Sequence, residues 1–227
     1  MRVLRLALLV TATCLVVPAS AWSGGKEPSG KGPSAPEPSA RVGIFYYPWF
    51  ATPQRDGGFA HWQQGGSTPP ASVASGFYPA RGPYSSADAV VVAAQMTEIA
   101  AAGIGTVIAS WWGRGSAEDQ RLPEVIAAAG DQGLSVAAHL EPYAGRTVAS
   151  TEADIDYLRT LGITDFYVWA SSALPNGEWA ELNARLEGVR TFANTNLAGR
   201  ALAGKFDERA ARSEFDDRAG GVGEDER

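Results

Sequence analysis

The sequence predicts an α/β fold of the (β/α)8 barrel type, incomplete, with about five βα units readable. Three observations carry that expectation. Apolar, β-branched runs begin near residues 42, 106, 135, 166 and 189, with helical patterns between most of them, and such alternation belongs to parallel sheets covered by helices. Aromatic and polar residues recur just past the ends of these runs, where parallel sheets place their ligand sites. The length of 227 residues, 45% hydrophobic, suits one domain with a substantial core. It falls short of the roughly 250 residues and eight strands of a complete barrel.

Residues 1–21 read as an export signal. Arg2 and Arg5 precede the apolar run Leu6 to Val17, and Ala19-Ser20-Ala21 supplies a small-residue cleavage site. The expected product is cut after Ala21, secreted, and free of the membrane. Thr11 stands where a lipoprotein signal would carry an aliphatic residue before Cys14, so Cys14 is not read as a lipid anchor. It is the only cysteine and would leave with the signal, so no disulfide can staple the mature chain. Residues 22–40, WSGGKEPSGKGPSAPEPSA, have almost nothing to bury and read as a disordered linker.

The folded domain is expected over residues 41–204. Val42 to Tyr47 is the first strand, ended by Pro48. Ala51 to Pro83 has no period but interleaves glycines and prolines with Phe59, Trp62, Phe77 and Tyr78, which points to a structured lid or wall at the mouth of a site. Ser85 or Ser86 is the expected cap of a helix running to about Ala102, with Asp88 in its first turn and Gly103 past its end. Thr106 to Ser110 is the second strand, and Leu122 to Asp131 a helix stopped by Gly133. Ser135 to Leu140 follows as a buried strand. Thr151 with Asp154 approximates a capping box for a helix through Leu161. Phe166 to Trp169, Glu178 to Leu186 and Val189 to Phe192 complete the series as strand, helix and strand. From Lys205 to Arg227, 13 of 23 residues are charged, which predicts a solvated, poorly ordered tail.

Composition narrows the function. Without Arg2 and Arg5 the chain holds 17 basic residues against 25 acidic, a formal charge of −8. Nucleic-acid binding needs a basic footprint that this balance does not offer. His61 and His139 are the only histidines and show no zinc-type spacing, so no catalytic metal and no cofactor is expected, with an all-carboxylate calcium site left open. The expected state is a monomer.

The strand ends carry the candidate chemistry. Val136 to Arg146, VAAHLEPYAGR, delivers His139, Glu141, Tyr143 and Arg146 at one terminus. Tyr46, Tyr47 and Trp49 end the first strand, Ser110, Trp111 and Trp112 the second, and Tyr167 and Trp169 the fourth. Aromatic faces beside hydroxyl, carboxylate and imidazole groups suit sugar rings, whose C–H faces stack while their hydroxyls bond. The alternatives are that the aromatics pack the core, that Glu141 caps a turn, and that His139 is a satisfied core residue.

Five motifs then carry a resemblance. FYYPWF at 45–50, HW at 61–62, GFYPARGPYSSAD at 76–88, SWW at 110–112 and HLEPY at 139–143 resemble, in order, glycoside hydrolase family 99, the endo-α-mannosidase family. The resemblance implies a secreted or lumenal (β/α)8 enzyme that cleaves within α-mannose-containing chains with retention and without a metal. By motif match, Tyr46, His61, Trp111, Glu141 and Tyr143 line its site; Glu141 is the one candidate catalytic carboxylate and belongs by resemblance to substrate binding. Tyr47, His139 and Arg146 join them from the strand-end reading.

One departure stands beside the match. The family's two catalytic glutamates lie late, in a pattern like Asn-Glu-Trp-x-Glu, one assisting the sugar's 2-hydroxyl and the other serving as general acid and base. No such segment follows Phe192. Glu178-Trp179-Ala180-Glu181 imitates the spacing but reads as the first turn of a helix. Three readings remain open: a family 99-like glycosidase incomplete as written, a sugar-binding remnant of one, and an unrelated barrel hydrolase pairing Glu141 with Asp165 or Glu178. The expectation is a truncated or frameshifted chain, aggregation-prone and with little mannosidase activity.

Overall fold

A computed structural model describes residues 37–194 and 198–207. The export signal, most of the linker and residues 208–227 of the charged tail lie outside the described residues. Strands β1 (Ser39–Tyr46), β2 (Ile104–Trp111), β3 (Ser135–Leu140), β4 (Asp165–Val168) and β5 (Arg190–Ala193) alternate with helices. These are α1 (Pro53–Asp56), α2 (Ala89–Ala101), α3 (Ala117–Asp131), α4 (Val148–Thr160), α5 (Asn176–Arg185) and α6 (Ala198–Ala203).

All four strand pairings are parallel and the order is β1-β2-β3-β4-β5. A doubly wound sheet reverses its strand order part-way, whereas a chain that always crosses over in the same sense lays its strands down consecutively. The consecutive order is that of a (β/α)8 barrel, and five of its strands are present among the described residues.

Side-chain alternation sorts the strands into two faces. Val107, Ala109, Trp111, Leu140, Phe166 and Val168 point to the helix layer, where they bury against Met96, Val125, Ile155, Leu158 and Trp179. The opposite face carries Phe45, Ser110, His139, Tyr167 and Phe192. There the Phe45 ring lies 4.9 Å from His139 and 6.0 Å from Tyr167, and Tyr167 lies 4.7 Å from Phe192. Gly43 lies close against this inner face: a Cβ there would stand 3.0 Å from Ile108 Cδ1, and the end of the isoleucine side chain would have to give way.

Helix starts differ from the sequence expectation, each for a local reason. Asp88, not Ser85 or Ser86, caps α2 by accepting from the Val90 N–H. Both serines are buried in the loop instead, and Ser86 exchanges bonds with the Phe50 backbone. Ser116 caps α3, so this helix starts at Ala117 rather than Leu122, with Glu118 and Asp119 in its first turn. The true capping box of α4 is Thr147 with Ser150; Thr151 lies inside the helix, its hydroxyl donating to the Thr147 carbonyl. Phe206, assigned to the tail by its charged neighbours, is buried 5.4 Å from the Trp179 ring. Asp207 N–H donates to the Thr191 carbonyl, so the fold continues through residues 205–207.

Candidate functional site

The carboxyl ends of β2 and β3 lie side by side because Ser110 pairs with His139 and Trp111 with Leu140. Ser110, His139 and Glu141 are all buried there. Ser110 Oγ donates to Glu141 Oε1 at 2.8 Å, and His139 Nδ1 stands 3.1 Å from the same oxygen. A hydroxyl, an imidazole and a carboxylate thus converge on the inner face, framed by Phe45 and by Trp169, whose ring lies 5.7 Å from His139. Tyr47 is close enough that the Glu141 charge, after burial, raises its phenol above the ordinary value.

A second aromatic group extends from β1 into the long loop. Tyr47 stacks on Trp49 at 4.5 Å and Trp49 on His61 at 4.3 Å. His61 holds a left-handed backbone conformation (φ 65°), and Gln64 Nε2 bonds its Nδ1. Desolvation is the main cause that lowers the His61 pKa, with Glu118 opposing and Arg121 assisting. The segment from Ala51 onward is structured, as expected of a wall. Ala51 and Ala60 bridge, Trp62 is buried with its Nε1 donating to the Tyr84 carbonyl, and Arg121 of α3 donates to the Pro48 carbonyl. Phe77, by contrast, is 90% exposed.

The predicted site residues divide by face. His139, Glu141 and Tyr47 meet on the inner face, and His61 joins them through Trp49. Tyr46 and Trp111 leave on the helix side. Tyr46 Oη donates to Gln95 of α2, and burial raises its pKa; Trp111 is fully buried, donating through Nε1 to Asp119 of α3. Their neighbours Tyr47 and Trp112 are the exposed members of each pair, at 36% and 37%.

Tyr143 and Arg146 hold structure at the site's edge. Tyr143 Oη donates to Asp154 and stands 3.0 Å from Ser150 Oγ, so its hydroxyl turns toward α4. Gly113 leaves room for that ring, since a Cβ there would meet Tyr143 Cδ1 at 3.3 Å. Burial raises the Asp154 carboxyl above its ordinary value, and the Tyr143 hydrogen bond opposes the shift. Arg146 donates to the carbonyls of Leu140, Trp169 and Ala170, tying β3 to the turn after β4. Burial lowers its pKa.

Ser110, Phe45, Trp112, Tyr167 and Trp169 stand beyond the predicted site residues, though four of the five lie at predicted strand ends; the register that pairs Ser110 with His139 and His139 with Tyr167 selects their face, and local composition does not carry it. Glu178 and Glu181 lie exposed on α5, whose buried face is Trp179 and Leu182. Among the described residues no group of three His, Cys, Asp or Glu side chains stands together to hold a metal, and no helix is long and apolar enough to cross a membrane.

The profile of Glycosyl hydrolase family 99 matches residues 39–219. The chain belongs to this family. A "Glycoprotein endo-alpha-1,2-mannosidase-like protein" of Danio rerio is 33% identical over 206 residues, covering 74% of this chain and 46% of that protein. A "Glycoprotein endo-alpha-1,2-mannosidase" of Xenopus laevis is 30% identical over 208 residues, with the same coverage of 74% and 46%. This family 99 chain spans about half the length of these relatives. The solved structure of a GH99 endo-alpha-mannosidase from Bacteroides thetaiotaomicron superposes with a TM-score of 0.67 at 23% identity, over 75% of this chain and 60% of that one. That likeness establishes the (β/α)8-type fold.

Proposed function

We propose that this family 99 chain carries the sugar-binding floor of a hydrolase acting on α-mannosidic linkages, and that as given it binds α-mannosides without robust turnover. The observation that carries the reading is the convergence of Ser110, His139 and Glu141 on the inner face at the carboxyl ends of β2 and β3. A carboxylate accepts sugar hydroxyls strongly because the bond is charge-assisted. Phe45, Tyr47, Trp112 and Trp169 offer the apolar faces on which C–H surfaces of a pyranose pack. The names of the relatives supply the sugar; family membership supplies the reaction class.

Retaining hydrolysis calls for two carboxyl groups on opposite faces of the scissile bond. Glu141 is the carboxylate that the described inner face presents, and its contact with Ser110 suits holding a hydroxyl. Glu178 and Glu181 stand outside that face. Incubation with an α-1,2-linked mannobiose, followed by chromatography of the sugars, is expected to show binding with negligible cleavage. Robust hydrolysis abolished by Glu178→Gln or Glu181→Gln would overturn this division of roles. We propose further that the chain is exported and cut after Ala21, so that mass spectrometry of secreted material finds Trp22 first; a cytoplasmic product retaining Met1 would count against export.

A further inference from the structure

His139 is 2% exposed, and neither of its ring nitrogens has a hydrogen-bond partner among the described residues. The 3.1 Å between Nδ1 and Glu141 Oε1 suits an ion pair in length, but the approach misses the direction that a hydrogen bond to a ring nitrogen requires. Phe45 at 4.9 Å and Trp169 at 5.7 Å clamp the ring in this pose. Native proteins rarely leave buried polar atoms unpaired, and a functional site is a common reason when they do. Glu141, for its part, already takes the Ser110 hydroxyl on Oε1.

We propose that His139 and Glu141 act as one donor–acceptor pair that takes two adjacent hydroxyls of a sugar ring, one donating to Glu141 and its neighbour accepting from the His139 ring N–H. The inference rests on the reading of these strand ends as a mannoside site. Its chemistry follows from what each group can offer: a carboxylate only accepts, whereas a neutral imidazole donates from one nitrogen and accepts at the other. A lone hydroxyl could donate to Glu141 and accept from the imidazole at once, but with the two protein atoms 3.1 Å apart it would have to do both within about 65°, far from the roughly tetrahedral spread of its hydrogen and lone pairs. Two vicinal hydroxyls in a gauche arrangement set their oxygens about a hydrogen-bond length apart, which matches the 3.1 Å between the two protein atoms. Diaxial neighbours, or hydroxyls separated by a further ring carbon, reach only one of the pair. His139 is therefore the residue that converts a general hydroxyl site into one selective for a gauche vicinal diol.

The test is a ligand-by-residue cycle on the full chain. Methyl α-mannoside and its 2-, 3- and 4-deoxy analogues are titrated against the wild type, His139→Leu and His139→Asn, the last retaining an N–H donor. Deleting either of two adjacent hydroxyls is expected to weaken wild-type binding by about tenfold or more. For the hydroxyl facing His139, the same deletion should change His139→Leu binding less than about twofold, with partial recovery of discrimination in His139→Asn. A readout on the unmutated protein guards against variants that fail to fold. With histidine labelled by nitrogen-15, methyl α-mannoside should shift the His139 ring nitrogens, and the analogue lacking the contacted hydroxyl should not. Mannoside binding with an unmoved His139 signal, or with equal deoxy penalties in wild type and His139→Leu, overturns the pair while leaving the mannoside site standing. Failure of the folded protein to bind any of these sugars overturns both.

Discussion

The Trp111 indole donates its Nε1 hydrogen to Asp119 Oδ1 at 2.8 Å, on the helix side of the sheet and away from Glu141. The other Asp119 oxygen accepts from the Gly115 N–H, so one buried carboxylate ties the end of β2 to the loop that starts α3. Trp111→Phe deletes a charge-assisted bond and leaves a buried acceptor short of a donor, a loss of about 1.5–3 kcal/mol. Urea unfolding should register that loss. Mannoside affinity of the folded variant should stay within about twofold, whereas Trp112→Ala should weaken binding with little effect on the unfolding midpoint.

Arg146 makes a comparable prediction for the edge of the site. Its guanidinium bridges the Leu140 carbonyl at 3.0 Å and the Trp169 carbonyl at 2.7 Å, so it holds together the two strand ends that carry Glu141 and the Trp169 ring. Lysine cannot reproduce that fork. Arg146→Lys is expected to cost about 2–3 kcal/mol in chemical denaturation.

Asp154 should leave a signature in the pH dependence of stability. Burial raises its carboxyl pKa above 3.8, so the folded state holds this proton more tightly than the unfolded chain. The stabilisation is complete below the unfolded value and is lost as pH rises through the raised folded value. In Asp154→Asn that titration is gone, while the amide oxygen can still accept from Tyr143. Melting temperatures measured from pH 3.5 upward (about half a unit below the ordinary carboxyl value) should therefore show the variant gaining on the wild type as pH increases. A constant difference across the range would contradict the assignment.

His61 and His139 are the only histidines, so their ring protons can be assigned by one substitution. Desolvation lowers the His61 pKa from 6.5, so its C2 proton should titrate with a midpoint below that value. Opening the loop with Trp49→Ala removes the ring stacked at 4.3 Å and should return the midpoint toward 6.5.

Parallel strand order was legible because apolar runs of strand length recurred at βα spacing, and each run is a strand in the structure. The Glu141 and His139 pairing was legible for the same reason, since both stand at the carboxyl end of one buried strand. Choosing between Tyr46 and Tyr47, or between Trp111 and Trp112, was not. Adjacent aromatics at a strand end face opposite ways, and which one faces the core depends on pairing register, a property of the neighbouring strand rather than of local composition. Caps shifted because good capping residues are used otherwise: Ser86 bonds the distant Phe50 backbone, Ser85 accepts from the Ala87 N–H and Thr151 donates to the Thr147 carbonyl inside α4, while Asp88, Ser116 and Thr147 occupy the actual helix starts. Phe206 was hidden by charged neighbours, because burial of one ring against Trp179 leaves no periodic trace.

The central claim is that the inner-face cluster of Ser110, His139 and Glu141 binds an α-mannoside. Titration of the full chain with methyl α-mannoside, followed by nitrogen-15 and proton shifts, tests it most directly when repeated on Glu141→Gln and Trp111→Phe. Replacing the carboxylate removes a charge-assisted bond of about 1.5–3 kcal/mol, which is roughly a tenfold to hundredfold loss of affinity. The account predicts that loss in Glu141→Gln and near-wild-type affinity in Trp111→Phe. Equal affinity in the wild type and Glu141→Gln, or no binding by a protein shown to be folded, would contradict it.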